Sequence, residues 1–213
     1  MKTPSIAPEA TVLGVDSSTQ STKALVVCAT TGRVLAEGRA PHPPGTEVDP
    51  RAWLAAADAA VMEAVAALPP GTPPPEAAAV GGQQHGMVLL DAEGRVCRDA
   101  LLWNDTRSAP QARDLTRELG GPSAAVDRMG SVPVASFTAA KLRWVAQHEP
   151  EVMDRARTVL LPHDLVTRHL AGDPALLVTD RGDASGAASP PANIGVSPCA
   201  GDDRRTGRAL SCC

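Results

Sequence analysis

Val12-Leu13-Gly14-Val15-Asp16-Ser17-Ser18-Thr19-Gln20-Ser21-Thr22-Lys23 is the stretch on which the fold turns. Four apolar residues suit a strand, Asp16 stands at its end, and the hydroxyl-rich run behind it makes a corner. Ala24 to Ala29 reads as a second strand, Thr30-Thr31-Gly32-Arg33 has turn chemistry, and Val34 to Arg39 reads as a third. The three form an antiparallel meander with the polar corner first. A bound phosphate needs backbone N–H and hydroxyl donors, and its Mg²⁺ needs a carboxylate nearby, usually through water. A β-turn of small polar residues beside Asp16 supplies both. The same residues also suit a plain hairpin turn, so the corner alone assigns nothing.

Outward from the meander the period changes. Asp49-Pro50 is a helix start, and Trp53, Leu54, Ala57, Val61, Val65 and Leu68 follow at helical spacing until Pro69-Pro70-Gly71 ends the run. Ala77 to Gly82 reads as a short strand that delivers Gln83-Gln84-His85-Gly86 at its end. Met87 to Leu90, a turn at Asp91 to Gly94, and Val96 to Leu102 read as a hairpin ending in Trp103-Asn104-Asp105. Helices are expected over 108–119 and 139–148, a strand over 158–161, a helix over 163–170 with Gly172 behind it, and a last strand over 176–178. A meander followed by alternating strands and helices makes the class mixed α/β.

Composition excludes several functions. With Lys+Arg 20 against Asp+Glu 24 the net charge is -4, so there is no basic platform for nucleic acid. Three Trp, one Phe and no Tyr leave little surface on which bases could stack. No run reaches the roughly 18 apolar residues of a membrane helix, and residues 1–10 hold no apolar signal core, which makes the cytoplasm the expected compartment. Cys28 and Cys97 stand singly and read as free thiols. Cys199, Cys212 and Cys213 lack the paired spacing of a zinc site. The chain is long enough to bury roughly 70% of its unfolded surface.

Two further motifs sit at strand ends, the edge where open α/β sheets carry ligands. In Gly82-Gln83-Gln84-His85-Gly86 the amides, imidazole and flexible backbone suit a polyol, which needs directional donors and acceptors. In Trp103-Asn104-Asp105 the indole offers a flat face to sugar carbons while Asn104 and Asp105 can grip hydroxyls. Read singly, the histidine also fits a structural hydrogen-bonder, and the Trp-Asn-Asp run a core tryptophan with a helix-capping aspartate.

Six segments in order carry a family resemblance: Val15 to Lys23, Gly82 to Met87, Leu101 to Arg107, Phe137 to Trp144, Leu160 to Asp164 and Asp180 to Gly186. Together they resemble the FGGY carbohydrate kinases over about residues 11–187, and within them the members that act on D-xylulose more than those that act on glycerol. The resemblance implies an actin-like, ribonuclease-H-like α/β fold, of which residues 11–187 would be most of the N-terminal, sugar-binding domain. It implies a cleft where sugar and ATP meet, phosphoryl transfer from MgATP, and a pentose, D-xylulose, as acceptor. Asp16 would help hold Mg²⁺, and Thr19, Gln20 and Lys23 would lie near the phosphate. Gln84 and His85 match the pair that contacts the ketose, Trp103, Asn104 and Asp105 would line its pocket, and Thr138 and Lys141 sit where the family shapes the sugar site.

Two departures qualify this. Asp-Ser-Ser-Thr-Gln-Ser replaces the family's commoner Asp-Leu-Gly-Thr-Ser-Gly, removing a glycine where backbone approaches phosphate. After Gly186 the pattern is lost: residues 188–213 are expected to be a disordered, non-family tail, of the kind a frameshift or early stop leaves. The family's general-base aspartate lies downstream of the Asp-Ala-Ser-Gly motif, so neither it nor the C-terminal ATP-binding domain is expected in this chain, and the chain alone is expected to be inactive. Three rivals remain: another sugar or polyol kinase of the family, a non-catalytic sugar-binding module, and a ribonuclease-H-like nuclease. Acidic net charge and the lack of a carboxylate cluster weigh against the last.

Overall fold

The structure is a computed structural model that describes residues 10–180 and 211–212. The described residues fall into two compact units, one of residues 10–43 with 51–82, the other of residues 44–50 with everything from 83 onward.

In the first unit the meander is as the sequence predicts. Strands β1 (Thr11–Ser17), β2 (Ser21–Cys28) and β3 (Val34–Pro41) pair antiparallel in succession, and β5 (Ala77–Gly82) joins the free side of β1 in parallel, giving the order β3-β2-β1-β5. Thr22, Ala24, Val26 and Cys28 alternate inward along β2. Helix α1 (Arg51–Ala66) starts one residue after Pro50 and packs on β2 and β3. Its buried face is Trp53, Ala56, Ala57, Ala60 and Ala64, which keeps Trp53 and Ala57 of the expected stripe and corrects the rest: Leu54, Val61 and Leu68 are half-buried, Val65 is 44% exposed, and Met62 on the open face is 71% exposed. Side-chain size misleads here because the sheet offers only Ala36, Gly38 and Ala40 along β3. Small residues on both surfaces let the backbones approach so closely that a Cβ on Gly38 would lie 2.1 Å from the Ala60 carbonyl oxygen.

The second unit holds two small sheets and five helices. Strand β6 (Val88–Leu90) pairs antiparallel with β8 (Thr158–Leu160), and Ser211–Cys212 runs parallel beside β8 as β9. The expected hairpin is present only in part. Its turn closes through Asp91, whose N–H donates to the Arg95 carbonyl at 2.9 Å, and bridges join Leu90 to Val96 and Met87 to Leu101. The regular partner of its second arm, β7 (Ala100–Leu101), is instead β4 (Glu47–Val48), a strand too short to show in the sequence. Helices α2 (Ala109–Glu118), α4 (Thr138–His148) and α6 (Pro162–Leu170) lie where expected; α3 (Pro122–Met129) and α5 (Pro150–Arg155) are additions. Met87, Leu89, Leu101, Leu142, Val145, Val152, Ala156 and Val159 make the core. Residues 176–178 form no strand, a second correction: Leu177 and Val178 are exposed, and three apolar residues are too short a run to secure a ladder by themselves.

The Asp180–Gly186 motif beyond Asp180, and the expected tail over 188–213 apart from 211–212, lie outside the described residues. Among the described residues no helix is long and apolar enough to cross a membrane, and no group of histidine, cysteine or carboxylate side chains could hold a metal by itself.

Candidate functional site

The corner of the first unit is built on strand alternation. Asp16 and Lys23 face each other across the β1–β2 pair and are exposed, while their neighbours Ser17 and Thr22 are buried. Ser18 Oγ lies 2.9 Å from both Asp16 carboxylate oxygens and donates to them. The Ser18 N–H donates to the Ser21 carbonyl at 3.1 Å, which leaves Thr19 and Gln20 at the tip. Beneath the corner, the His42 N–H donates to the Gln20 carbonyl at 2.8 Å, and His42 Nε2 lies 2.8 Å from Thr22 Oγ1, which in turn donates to Ser17 Oγ. Burial lowers the pKa of His42 against the opposing pull of the backbone at Ser18 and Thr19, so its imidazole braces the corner without charge. The residues expected near phosphate are thus grouped: an exposed carboxylate, an ammonium opposite it, and a hydroxyl and an amide at the tip. His42 was not foreseen; it lies 20 residues from Thr22 in a proline-rich segment that carries no local signal.

The second unit holds the other expected residues, in the segments that follow β5 and β7 along the chain. Gln84 is exposed and His85 half-buried, in a turn where His85 takes a φ of 59°, the left-handed region that non-glycine residues enter at a cost. The turn is held from outside. Thr138 Oγ1, at the start of α4, donates to the carbonyls of His85 and Gly86, each at 3.3 Å, and the His85 ring lies 5.0 Å from that of Phe137. A Cβ on Gly86 would come within 2.5 Å of Pro162 Cγ, so a glycine is required there.

After β7, Trp103 is 48% exposed and Asn104 is exposed, which removes the core-tryptophan reading. Asp105 is 4% exposed and committed to its neighbours. One carboxylate oxygen accepts from the Arg107 N–H at 3.0 Å and Arg107 Nε at 2.9 Å; the other accepts from Thr46 Oγ1 at 3.0 Å and Arg107 Nη2 at 2.9 Å. Burial would push this carboxyl up, but the bonds from Arg107 and Thr46 outweigh it and hold the pKa below the usual carboxylate range. Arg107 also pairs with Glu47 at 2.7 Å, Glu47 with Arg98, and Arg98 with Glu149 at 3.0 Å; both guanidiniums lie over the Trp144 ring. Lys141, fully buried, donates to the carbonyls of Ala135 at 2.6 Å and Asp105 at 3.2 Å. Burial pushes its ammonium down to about 8 despite the Asp105 charge. Thr138 and Lys141 therefore brace the two ligand-edge turns from α4 without presenting themselves at the surface. Arg107, two residues after Asp105, could have been noticed in the sequence as a partner; Glu47 and Arg98 could not.

These features define a mixed α/β domain with a polar corner and two braced turns at strand ends. The N-terminal-domain model of the FGGY family of carbohydrate kinases matches residues 11–189, and the chain belongs to that family. Among curated relatives it is 54% identical over 179 residues to a xylulose kinase of Streptomyces coelicolor and 36% identical over 181 residues to one of Escherichia coli, with 82% of this chain covered in each case. It spans 36% and 35% of those relatives' lengths. Among solved structures, xylulose kinase from Bifidobacterium adolescentis superposes with a TM-score of 0.78 at 43% identity, covering 84% of this chain and 40% of that one. Glycerol kinase from Plasmodium falciparum, at 17% identity and a TM-score of 0.71, shares the fold alone. The fold is that of the actin-like ATPases, as the sequence resemblance implied.

Proposed function

We propose that this chain carries the sugar-binding half of an ATP-dependent xylulose kinase, with D-xylulose as acceptor and MgATP as phosphoryl donor, working in the cytoplasm. The observation that carries the reading is the left-handed His85 turn, braced by Thr138, beside exposed Gln84. A strained, externally held histidine marks a site kept for binding rather than stability. Trp103 and Asn104 fit the same use, an open indole face and an amide suiting sugar carbons and hydroxyls. In this reading Asp105 and Lys141 serve the sugar by fixing the loop that presents them.

The residues of the first unit fit MgATP. Asp16, exposed and engaged among the described residues by the Ser18 hydroxyl, suits a cation held through water, and Thr19, Gln20 and Lys23 suit phosphate oxygens. When bound, the metal nucleotide supplies the phosphoryl group and neutralises its charge. The xylulose kinase relatives support the choice of pentose.

The test is a titration of the purified chain with D-xylulose, followed by tryptophan fluorescence and by NMR, alongside His85→Ala and Trp103→Ala. Both variants are expected to weaken binding about tenfold or more while melting within a few degrees of the wild type. Unchanged sugar affinity with a large fall in melting temperature would assign His85 to the framework instead.

A further inference from the structure

Gln83 precedes the two exposed or half-buried residues of the same turn, yet it is 6% exposed. Its Nε2 and Oε1 are both buried, and among the described residues neither has a hydrogen-bond partner. A carboxamide carries two donors and an acceptor oxygen, and leaving them unanswered in the interior is costly. Side chains in native proteins seldom stay in that condition without a use. Nor can a small shift of the backbone relieve it. Thr138 holds the carbonyls of His85 and Gly86, the Gly86 N–H donates to the Gln84 carbonyl at 2.8 Å, and Gly86 is pressed against Pro162. The backbone of the turn is fixed from three sides.

We propose that Gln83 is a further ligand-binding residue, whose carboxamide takes two adjacent hydroxyls of the sugar: Nε2 donates to one and Oε1 accepts from the other. This rests on the reading of the turn as a sugar site. The amide itself selects the ligand chemistry. A carboxylate or phosphate brings acceptors only and would leave Oε1 facing negative charge. An alkyl group answers neither atom. A vicinal diol answers both, and an open-chain ketose offers several. Gln83 is then a determinant of hydroxyl pattern, acting beside Gln84 and His85 in one rigid turn.

The experiment uses Gln83→Met, which fills the same volume with an unbranched apolar chain. Wild type, Gln83→Met and His85→Ala, each as the whole 213-residue chain, are melted without sugar and titrated with D-xylulose by calorimetry or NMR. The expected result is a melting temperature raised by roughly 2–4 °C in Gln83→Met, because a buried orphan amide is gone, with D-xylulose binding weakened about tenfold. A variant that melts lower or fails to fold would show that the amide serves the framework, and the inference falls. A raised melting temperature with unchanged affinity would mean that the amide is an orphan no sugar answers, and the inference falls equally. If His85→Ala loses affinity while Gln83→Met does not, the sugar site stands and Gln83 is outside it. If the wild type binds no D-xylulose, the reading of the site fails and takes this inference with it.

Discussion

A carboxylate offers about four lone-pair sites, and at Asp105 they are met by the N–H, Nε and Nη2 of Arg107 and by Thr46 Oγ1. Little is left for a ligand, so in the proposed reading its effect on a sugar would pass through the loop it ties down. Replacing one oxygen by an amide turns a donor toward Arg107. Asp105→Asn is therefore expected to cost about 2–3 kcal/mol in urea unfolding, the range for losing charged hydrogen bonds at a buried partner. The sign with pH follows from the lowered pKa. The carboxylate's contribution is complete above the unfolded value near 4 and is lost as pH falls through the folded value below it, so the variant's acid limb should be flatter than the wild type's there. A variant as stable as the wild type at pH 7 would contradict this. The sequence shows Asp105 because it follows Trp103 and Asn104 at a strand end. It hides the Arg107–Glu47 pair that fixes it, because those partners lie 60 residues apart.

Between elements, α1 packs backbone-close on β3. A Cβ at Gly38 would meet the backbone of Ala60 and Ala64 at 2.1 and 2.6 Å, atoms that cannot step aside singly. Gly38→Ala is expected to cost more than about 3 kcal/mol, whereas Met62→Glu, on the open face of the same helix, should stay within about 0.5 kcal/mol. Comparable melting of the two variants would reverse the assignment of faces. At α6, Asp164 accepts the Leu161 N–H at 3.1 Å and is 3% exposed. Burial pushes its carboxyl up to about 6, against the His163 charge and the Leu161 bond. Because the folded pKa is raised, the wild type should lose stability as pH rises from about 4 to 6, by up to roughly 2–3 kcal/mol, and Asp164→Asn should lack that loss. Parallel pH curves of chemical stability would overturn the assignment. The meander and the long helices were legible because their apolar periods persist over several turns. The face of α1 was not, since an alanine-rich helix carries two apolar stripes and only Gly38 chooses between them. Helix α3 did leave a signal, Pro122 at its first position and Gly130 left-handed behind it, but eight residues give too few repeats to stand out. Strand β4 left none.

For the chain as a whole, the question is how many parts of a phosphoryl-transfer site its residues supply. In the proposed reading Gln84, His85, Trp103 and Asn104 would orient a sugar, and Asp16, Thr19, Gln20 and Lys23 would meet a metal-bound phosphate. A base for the sugar hydroxyl is harder to find among the described residues. Asp105 is consumed by Arg107, Asp164 caps α6, and Asp180 faces His163 at 3.5 Å. Missing a general base costs about 10²–10⁴ in rate. If the groups that hold the nucleotide lie outside these residues, as the family resemblance implies, an effective molarity that can reach roughly 10⁵–10⁸ M is forfeited. A polypeptide of these 213 residues is therefore expected to bind D-xylulose and yet release no ADP above background when given MgATP and the sugar. The assay is sugar-dependent ADP release by the purified polypeptide, with Asp16→Ala as control. Turnover that the control abolishes would mean that a carboxylate of this chain takes the proton from the sugar hydroxyl, and the expectation of an inactive polypeptide would fall.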